Sequence, residues 1–481
     1  LPRSDVANER VAETARILAS ARLPDVSCAG YRCGEAPPHV PVVADARRFG
    51  AAGDGTTDDT LALQAAIDAT RDGALVLPAG RYVIHDVLHI PQSRVVIRGE
   101  GPERTVLVVA VSLTEAHPLP VGSGNSYSFG GGFVDVRGRV EGRTLDKVVL
   151  PAPRGADRLA LAEPLHRKPG ELVRIRMDTS PGLAREILGG ALEPGAQTAR
   201  DFSHYVDWAV RVASVEGSTL RLAHPLRVDV RPEWAAEVVA FEPTIEEVGI
   251  EDLSFEFPGV PKKPHLEEEG FNAIFMKDVA HAWVRNVTVT DADNAVNLWR
   301  CRFCQVENVR LRTAHRTSVP SGHHGLWAKE TQDCLFSDFR IDTIYEHDLS
   351  VEGFANGNVF MRGTGVAINL DHHRNAPYEN VFTDLDVGSP ERLWRSSGDE
   401  ARGPHAGVRE TLWNVRYLGR PPPLPGAMHS NKPDGGWPEL NLLQVAGYPP
   451  TSEHESVWVE PAQGAPGNLY EAQRAAMRRA P

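Results

Sequence analysis

The chain has 481 residues, 41% of them hydrophobic and 24% charged, with 43 Gly, 37 Pro and 5 Cys. This is a globular composition, and the length accommodates roughly two to four ordinary domains or one large repetitive one. A net charge of −13 argues against nucleic acid or an anionic membrane as partner, and no run of about 18 apolar residues is present to span a bilayer.

Residues 1–40 read as an extension, with Ser4 capping a helix that runs through Val11 and Ala15 to about Leu18. The chain opens at Leu1 rather than Met, which fits either a removed export leader or a trimmed chain. Cys28 and Cys33 stand five apart in an irregular stretch. A disulfide loop there would suit an exported protein; two unrelated thiols is the plainer alternative. From Phe49 the sequence runs FGAAGDGTTDDTLALQAAIDATRDGALVLPAGRYVIHDVLHIPQSRVVIRGEG. Asp58 or Asp59 can cap a short helix with Leu61, Ala65 and Ile67 on its apolar side, and short alternating strands follow around Val95 and Ile97.

This segment, with its FGA-GDG-TDDT opening, LP-G-Y strand and GEG turn, resembles the start of the pectate-lyase-like superfamily of right-handed parallel β-helices. The resemblance spans about fifty residues. It implies an all-β fold, a secreted or periplasmic location, and a polysaccharide or oligosaccharide partner. It does not choose an activity, because lyases, hydrolases, epimerases and phage tailspikes share the fold. Calcium, used by many β-helix lyases, finds no all-carboxylate oxygen cage in the sequence, so the cofactor stays open.

The second half supports the same fold from its own pattern. GIEDLSF, VRNVTV, VENVRL, FSDFRI, FTDLDV and WNVRYL alternate apolar and polar residues, and the anchors Leu253, Val287, Val309, Phe339, Leu385 and Val415 are 34, 22, 30, 46 and 30 apart. The 46 divides into two coils if Gly363 supplies the missing anchor. Such periods mean stacked units whose strands pair in parallel. Val287, Val289, Val309, Leu311, Phe339 and Ile341 should then point inward. The β-helix is expected over 41–149 and 246–420. A β-rich insertion is expected over 150–245, with strands at Leu172–Ile175, Val210–Val215 and Leu220–Leu222, and a Pro- and Gly-rich tail over 421–481 covers the end, finishing in a helix from about Leu469. Cys301, Cys304 and Cys334 fall beside apolar strands and read as core rather than as a metal or redox site.

Stacked coils turn equivalent positions into columns of neighbours. Aligning FNAIFMK, DNAVNLW, HHGLWAK, HDLSVEG and GVAINLD places Asn272, Asn294, His324 and Asp348 in one column and Asp293, His323 and His347 in the one before it. Five residues on stand Lys277, Trp299, Lys329 and Asp371. The carboxylates and imidazoles suit proton transfer or a metal pocket, against the plainer reading of a solvated turn ladder. Asp371-His372-His373-Arg374 forms a second cluster, in which alternation sends Asp371 and His373 one way and His372 the other. Asp371 and His372 join the catalytic candidates. Lys329, Arg374 and Arg300 are candidates for an anionic group, and Trp299 and Trp327 for a sugar face. His265 beside three glutamates reads as solvated loop.

Three chemistries compete. A polysaccharide lyase acting on a uronic acid by β-elimination needs a cation near the carboxylate and a base, here His323 or His347 with Lys329 or Arg374. A glycoside hydrolase needs two carboxylates; Asp291 and Asp293 in TDAD, followed by GHHG, are faintly similar to polygalacturonase-type motifs, without their adjacent Asp-Asp pair or Arg-x-Lys. A non-catalytic, tailspike-like glycan binder is the third. The lyase is the reading carried forward.

Overall fold

The alternating phrases become the rungs of a long parallel β-helix. The computed structural model describes residues 16–18, 20–119, 127–190, 192–425, 436–448, 457–460 and 466–478. Most of the expected Ser4–Leu18 helix therefore lies outside the described residues, as do parts of the Pro- and Gly-rich tail. The strands stack into a 17-stranded sheet and a seven-stranded sheet. Leu253, Val287 and Val309 lie in direct register, and Leu385 sits opposite Val415. All six residues expected inside are buried in one continuous core.

Each coil turns the flank of the large sheet on one left-handed residue. Asp252, Asn286, Asn308, Asp338, Arg362, Asp384 and Asn414 have φ between +50° and +59°. Asn and Asp tolerate this conformation best among residues with a Cβ, and here they also bond along the stack. Asn286 Nδ2 donates to Asp252 Oδ1 (2.7 Å), and Asn308 Nδ2 donates to Asn286 Oδ1 (3.0 Å). Gly363 does supply the missing anchor, and it is glycine for a steric reason: a Cβ there would come within 2.0 Å of the Phe339 ring.

The N-terminal helix Thr60–Ala69 buries Leu63, Ala66 and Ile67 on the first coils, whereas Leu61 is 84% exposed, so the expected apolar face is displaced by part of a turn. Asp58 accepts from Thr60 N (3.0 Å), while Asp59 instead holds Ala52 N and Gly53 N.

The chain leaves the helix at Arg139 and returns at Thr244, two residues joined by hydrogen bonds of 2.8 Å. Between them lies a six-stranded antiparallel sheet with the helices Pro181–Leu188 and Ala196–Asp201. His204–Glu216 and Thr219–Leu222 form its hairpin, turning at Gly217 with φ +60°. Its core merges with Phe354, Ala376 and Tyr378 of the β-helix, and Trp208 Nε1 donates to Tyr378 Oη (2.7 Å).

The tail does not simply cover the end, as expected from its composition. Asn441–Leu443 and Trp458–Glu460 extend the large sheet in register. The helix Leu469–Met477 lies along the flank, with Leu469 and Tyr470 packed beside Val359, Val381 and Trp413.

Cys28 and Cys33 are disulfide-bonded, and Cys301, Cys304 and Cys334 are buried thiols. Thiol titration of denatured, unreduced protein is expected to find three free thiols; five would remove the bridge.

Candidate active site

The seven-stranded sheet carries the candidate groups. Its central strands, Asn272–Lys277, Asn294–Trp299, Gly322–Lys329 and Tyr345–Glu352, run parallel. In the first two, consecutive residues (Ala273–Ile274 and Ala295–Val296) both enter the core. That bulge leaves Asn272 and Asn294 on the outer face with Phe275 and Asn297. His324 and His347 continue the first column, Trp327, Ser350 and Asp371 the second. Lys277, Trp299, Lys329 and Glu352 form the third.

The expected register therefore fails by one residue at Tyr345–Glu352. His324 pairs with His347, not with Asp348. Asp348 takes the bulge position filled by Ala273, Ala295 and Gly325 in earlier coils, and turns into the wall. There its Oδ1 accepts from Tyr345 N (2.9 Å), and its Oδ2 accepts from Asn369 N (3.1 Å) and Arg392 Nη1 (2.9 Å). Burial nonetheless pushes its carboxyl up to about 6. Asp371 sits opposite Ser350, two places from the expected column; Glu352 is the residue beside Lys329.

Asp293 is also structural. It accepts from Arg316 Nη1 (2.8 Å), Gly270 N (3.1 Å) and Phe271 N (3.0 Å). Asp291 accepts the backbone N–H groups of Ala314, His315 and Arg316. For both, the turn-capping reading prevails. His372 points into the core as alternation requires, fully buried with Nε2 3.1 Å from Glu410 Oε2. Arg374 is 1% exposed and donates to Gly398 O and Gly403 O, so it pins a loop and is not available to a substrate. Arg300 is held bidentately by Asp278 at 2.7 Å, on the next cavity along.

What converges is an imidazole cluster. His323, His324 and His347 have ring centroids 4.3–5.2 Å apart, and His373 lies 4.8 Å from His347. The loop residue His265 joins them, its Nε2 3.2 Å from His323 Nε2. The same loop folds Glu268 in to 3% exposure against Ser128 and Lys262. Asp371 is the hub. Its Oδ2 lies 2.9 Å from His373 Nδ1, 3.2 Å from His347 Nδ1 and 3.0 Å from Ser350 Oγ, while its Oδ1 accepts from Ser397 N (2.9 Å).

The electrostatics separate these groups. Burial, then the neighbouring imidazoles, holds His323 and His324 well below the usual histidine range. Burial also lowers His347, against the pull of Asp371. For His373, burial is outweighed by the charge and hydrogen bond of Asp371, and its value rises. Burial would raise Asp371, but His347 and His373 hold it well below the carboxylate range.

Beside the cluster opens a cavity of about 370 Å³. Trp299, Trp327, Phe275, Tyr127 and Phe129 supply aromatic walls, and Arg137, Lys329 and Arg402 the cations. Lys329 Nζ stands 4.5 Å from the Trp299 ring centre and 3.2 Å from Glu352 Oε1, which also accepts from Arg402 Nη1 (2.7 Å). His373 is the imidazole that lines this cavity; His323, His324 and His347 lie behind it, with His324 stacked on Trp327 at 3.8 Å.

Of the residues expected to bind substrate, Trp299, Trp327 and Lys329 line this cavity. Sequence reasoning missed His265, Glu268, Arg402, Tyr127 and Phe129, which arrive on segments remote in sequence, Arg137, which heads the third column opposite Lys277 from the strand Val134–Arg137, and Glu352, lost to the register slip. His265 carried a visible signal in its HLEEEG context. The groups that could hold a metal, His265–His323–His347 and His347–Asp371–His373, are rich in imidazole nitrogen. That donor set does not fit calcium, which takes six to eight oxygens.

Comparison with known proteins agrees with the fold. Residues 43–132 match the model of the family described as rhamnogalacturonase A/epimerase, pectate lyase-like. No curated protein matches the sequence. The chain is similar to the tailspike protein gp49 from Pseudomonas phage LKA1, with 13% identity and a TM-score of 0.51 over 83% of this chain and 70% of that one. It is similar more weakly to a hyperthermoactive exopolygalacturonase from Thermotoga maritima (10% identity, TM-score 0.41, 88% and 87% covered). The same holds for the Gp54 tailspike of Acinetobacter baumannii bacteriophage AP22 (9% identity, TM-score 0.42, 83% and 60% covered). Of these three, the first alone bears on the fold, and none bears on activity. Register, coil corners and the likeness to the first tailspike together identify the chain as a parallel β-helix, whose residues 43–132 carry the pectate-lyase-like family match.

Proposed function

We propose that the protein is an exported carbohydrate-active enzyme that cleaves an acidic polysaccharide by β-elimination, with the groove beside His373 as its active site. The family match at 43–132 supports a carbohydrate substrate, and the disulfide supports export. The observation that carries the choice of chemistry is the groove's charge. Among the described residues lining it are three cations, Arg137, Lys329 and Arg402, one imidazole and one carboxylate, Glu352. A hydrolase needs two carboxylates flanking the bond; Asp291, Asp293 and Asp348 are all engaged with the backbone elsewhere.

In this reading the aromatic walls stack on sugar faces. Lys329 and Arg402 neutralise the uronate carboxylate, displacing Glu352 as their partner, and thereby acidify the neighbouring C–H. His373 takes that proton, oriented through Nδ1 by Asp371 as a base is oriented in other proton-transfer pairs. The electron pair of the broken C–H bond forms the new C=C bond as the glycosidic C–O bond breaks, and the leaving oxygen is protonated from solvent.

Incubation with a panel of polyuronides and neutral polysaccharides tests this. Unsaturated-product absorbance should grow in step with reducing ends on a uronic-acid polymer. Reducing ends without that absorbance would assign a hydrolase, and neither product on any polymer, with binding intact, a non-catalytic scaffold.

A further inference from the structure

We propose that His265, His323 and His347 form a binding site for one divalent transition-metal ion of the zinc class. This does not depend on the glycan-cleaving reading, since it concerns what the three imidazoles hold.

The geometry is that of a three-nitrogen site. One ligand atom from each ring lies within 4.8 Å of the others, and His265 Nε2 and His323 Nε2 are 3.2 Å apart. Nitrogens at about 2.0–2.1 Å from a tetrahedral zinc stand roughly 3.3 Å from one another, a spacing His265 and His323 already have and the His347 ring, within 4.8 Å, completes by moving in. His347 Nε2 is buried with no hydrogen-bond partner, in a residue 3% exposed. An unpaired polar atom at that depth is costly unless something occupies the space it faces.

The second nitrogens point the same way. Metal-bound histidines almost always turn their other ring nitrogen to a carboxylate or carbonyl, which fixes the tautomer. His347 Nδ1 has Asp371 Oδ2 at 3.2 Å, and His323 Nδ1 has Glu268 Oε2 at 3.6 Å. Neither Nδ1 makes a formed hydrogen bond, and the His323 contact is too long for one; a small movement of the rings toward an ion would close both. Burial already keeps His323 and His347 in the neutral form that binds metal. The alternative set through Asp371 and His373 is less apt, because Asp371 Oδ2 is already committed to Ser350 and His373. Imidazole donors select zinc-class ions over calcium and magnesium.

Tag-free protein, stripped with chelator, incubated with Zn(II) and desalted, should retain one zinc per chain by elemental analysis. Cobalt(II) substituted at the same site should show the intense visible bands of tetrahedral coordination. His265→Ala, on an exposed loop, should weaken zinc by about a hundredfold or more, beyond the tenfold to hundredfold typical of losing an outer partner, and abolish the cobalt bands with the melting curve of the chelator-stripped protein unchanged. The surface variant His85→Ala should behave as the parent. No stoichiometric zinc, zinc retention indifferent to His265→Ala, or retention of calcium alone would each overturn the site.

Discussion

Replacing His373 with Ala is expected to lower turnover on a cleavable polyuronide by about a hundredfold or more. Several observations lead there. His373 is the one imidazole among the described groove-lining residues, and its Nδ1 is fixed by Asp371 at 2.9 Å, which leaves Nε2 for the substrate. A group that moves a proton acts in the transition state, so the loss should fall on kcat and leave oligosaccharide affinity nearly unchanged. His373 is itself buried and its loss takes a partner from buried Asp371, so a modest fall in melting temperature is expected and turnover is compared on protein shown to be folded. His372→Ala offers the contrast: it excavates the core beside Trp437 and orphans Glu410, so it should destabilise the fold. Full activity in a folded His373→Ala protein would remove this residue from the chemistry.

Arg227→Met is expected to destabilise the protein by about 3–5 kcal/mol, because it strips the partner from a buried carboxylate. Arg227 reaches from the insertion onto a corner of the β-helix, where Asp333, Gly357 and Glu379 stack in successive coils at φ +52°, +65° and +54°. Its guanidinium grips both oxygens of Asp333, and the two side chains are 5% and 0% exposed. Glycine at 357 makes room: a Cβ there would lie 2.3 Å from Arg227 Nη2. Arg154 and Arg409 complete the ladder on Glu379. The denaturation midpoint should fall accordingly, and adding Asp333→Asn, neutral and tolerant of the left-handed corner, should recover part of the loss. A change under about 1 kcal/mol would mean that the pair is hydrated and worth no more than a surface bridge.

Much of the fold was legible because a β-helix repeats its signals. Alternation fixed the inward residues from Val287 to Ile341, whereas the left-handed Asn and Asp corners emerged only from the structure. Gly363, read as the anchor that splits the longest spacing, is demanded by Phe339. The groove was half legible for the same reason. Lys277, Trp299 and Lys329 share a column because three coils keep the same strand length and the same bulge. The next coil kept the length but put Asp348 at the bulge, and similarity of HD to HH drew the alignment one residue off. Alternation along a strand gives faces, not registers between strands. His265, Arg402 and Tyr127 could not be placed, since nothing local says which loop closes over which coil. The carboxylates Asp291 and Asp293 looked catalytic by type; only their backbone partners show that they cap turns.

The structure of folded His373→Ala protein soaked with an oligouronide tests the site most directly. The sugar should lie between Trp299 and Trp327, with a carboxylate on Lys329 and Arg402 and the C–H to be broken facing the space left by the imidazole. Saccharide bound only on another face, with this groove empty, would contradict the assignment.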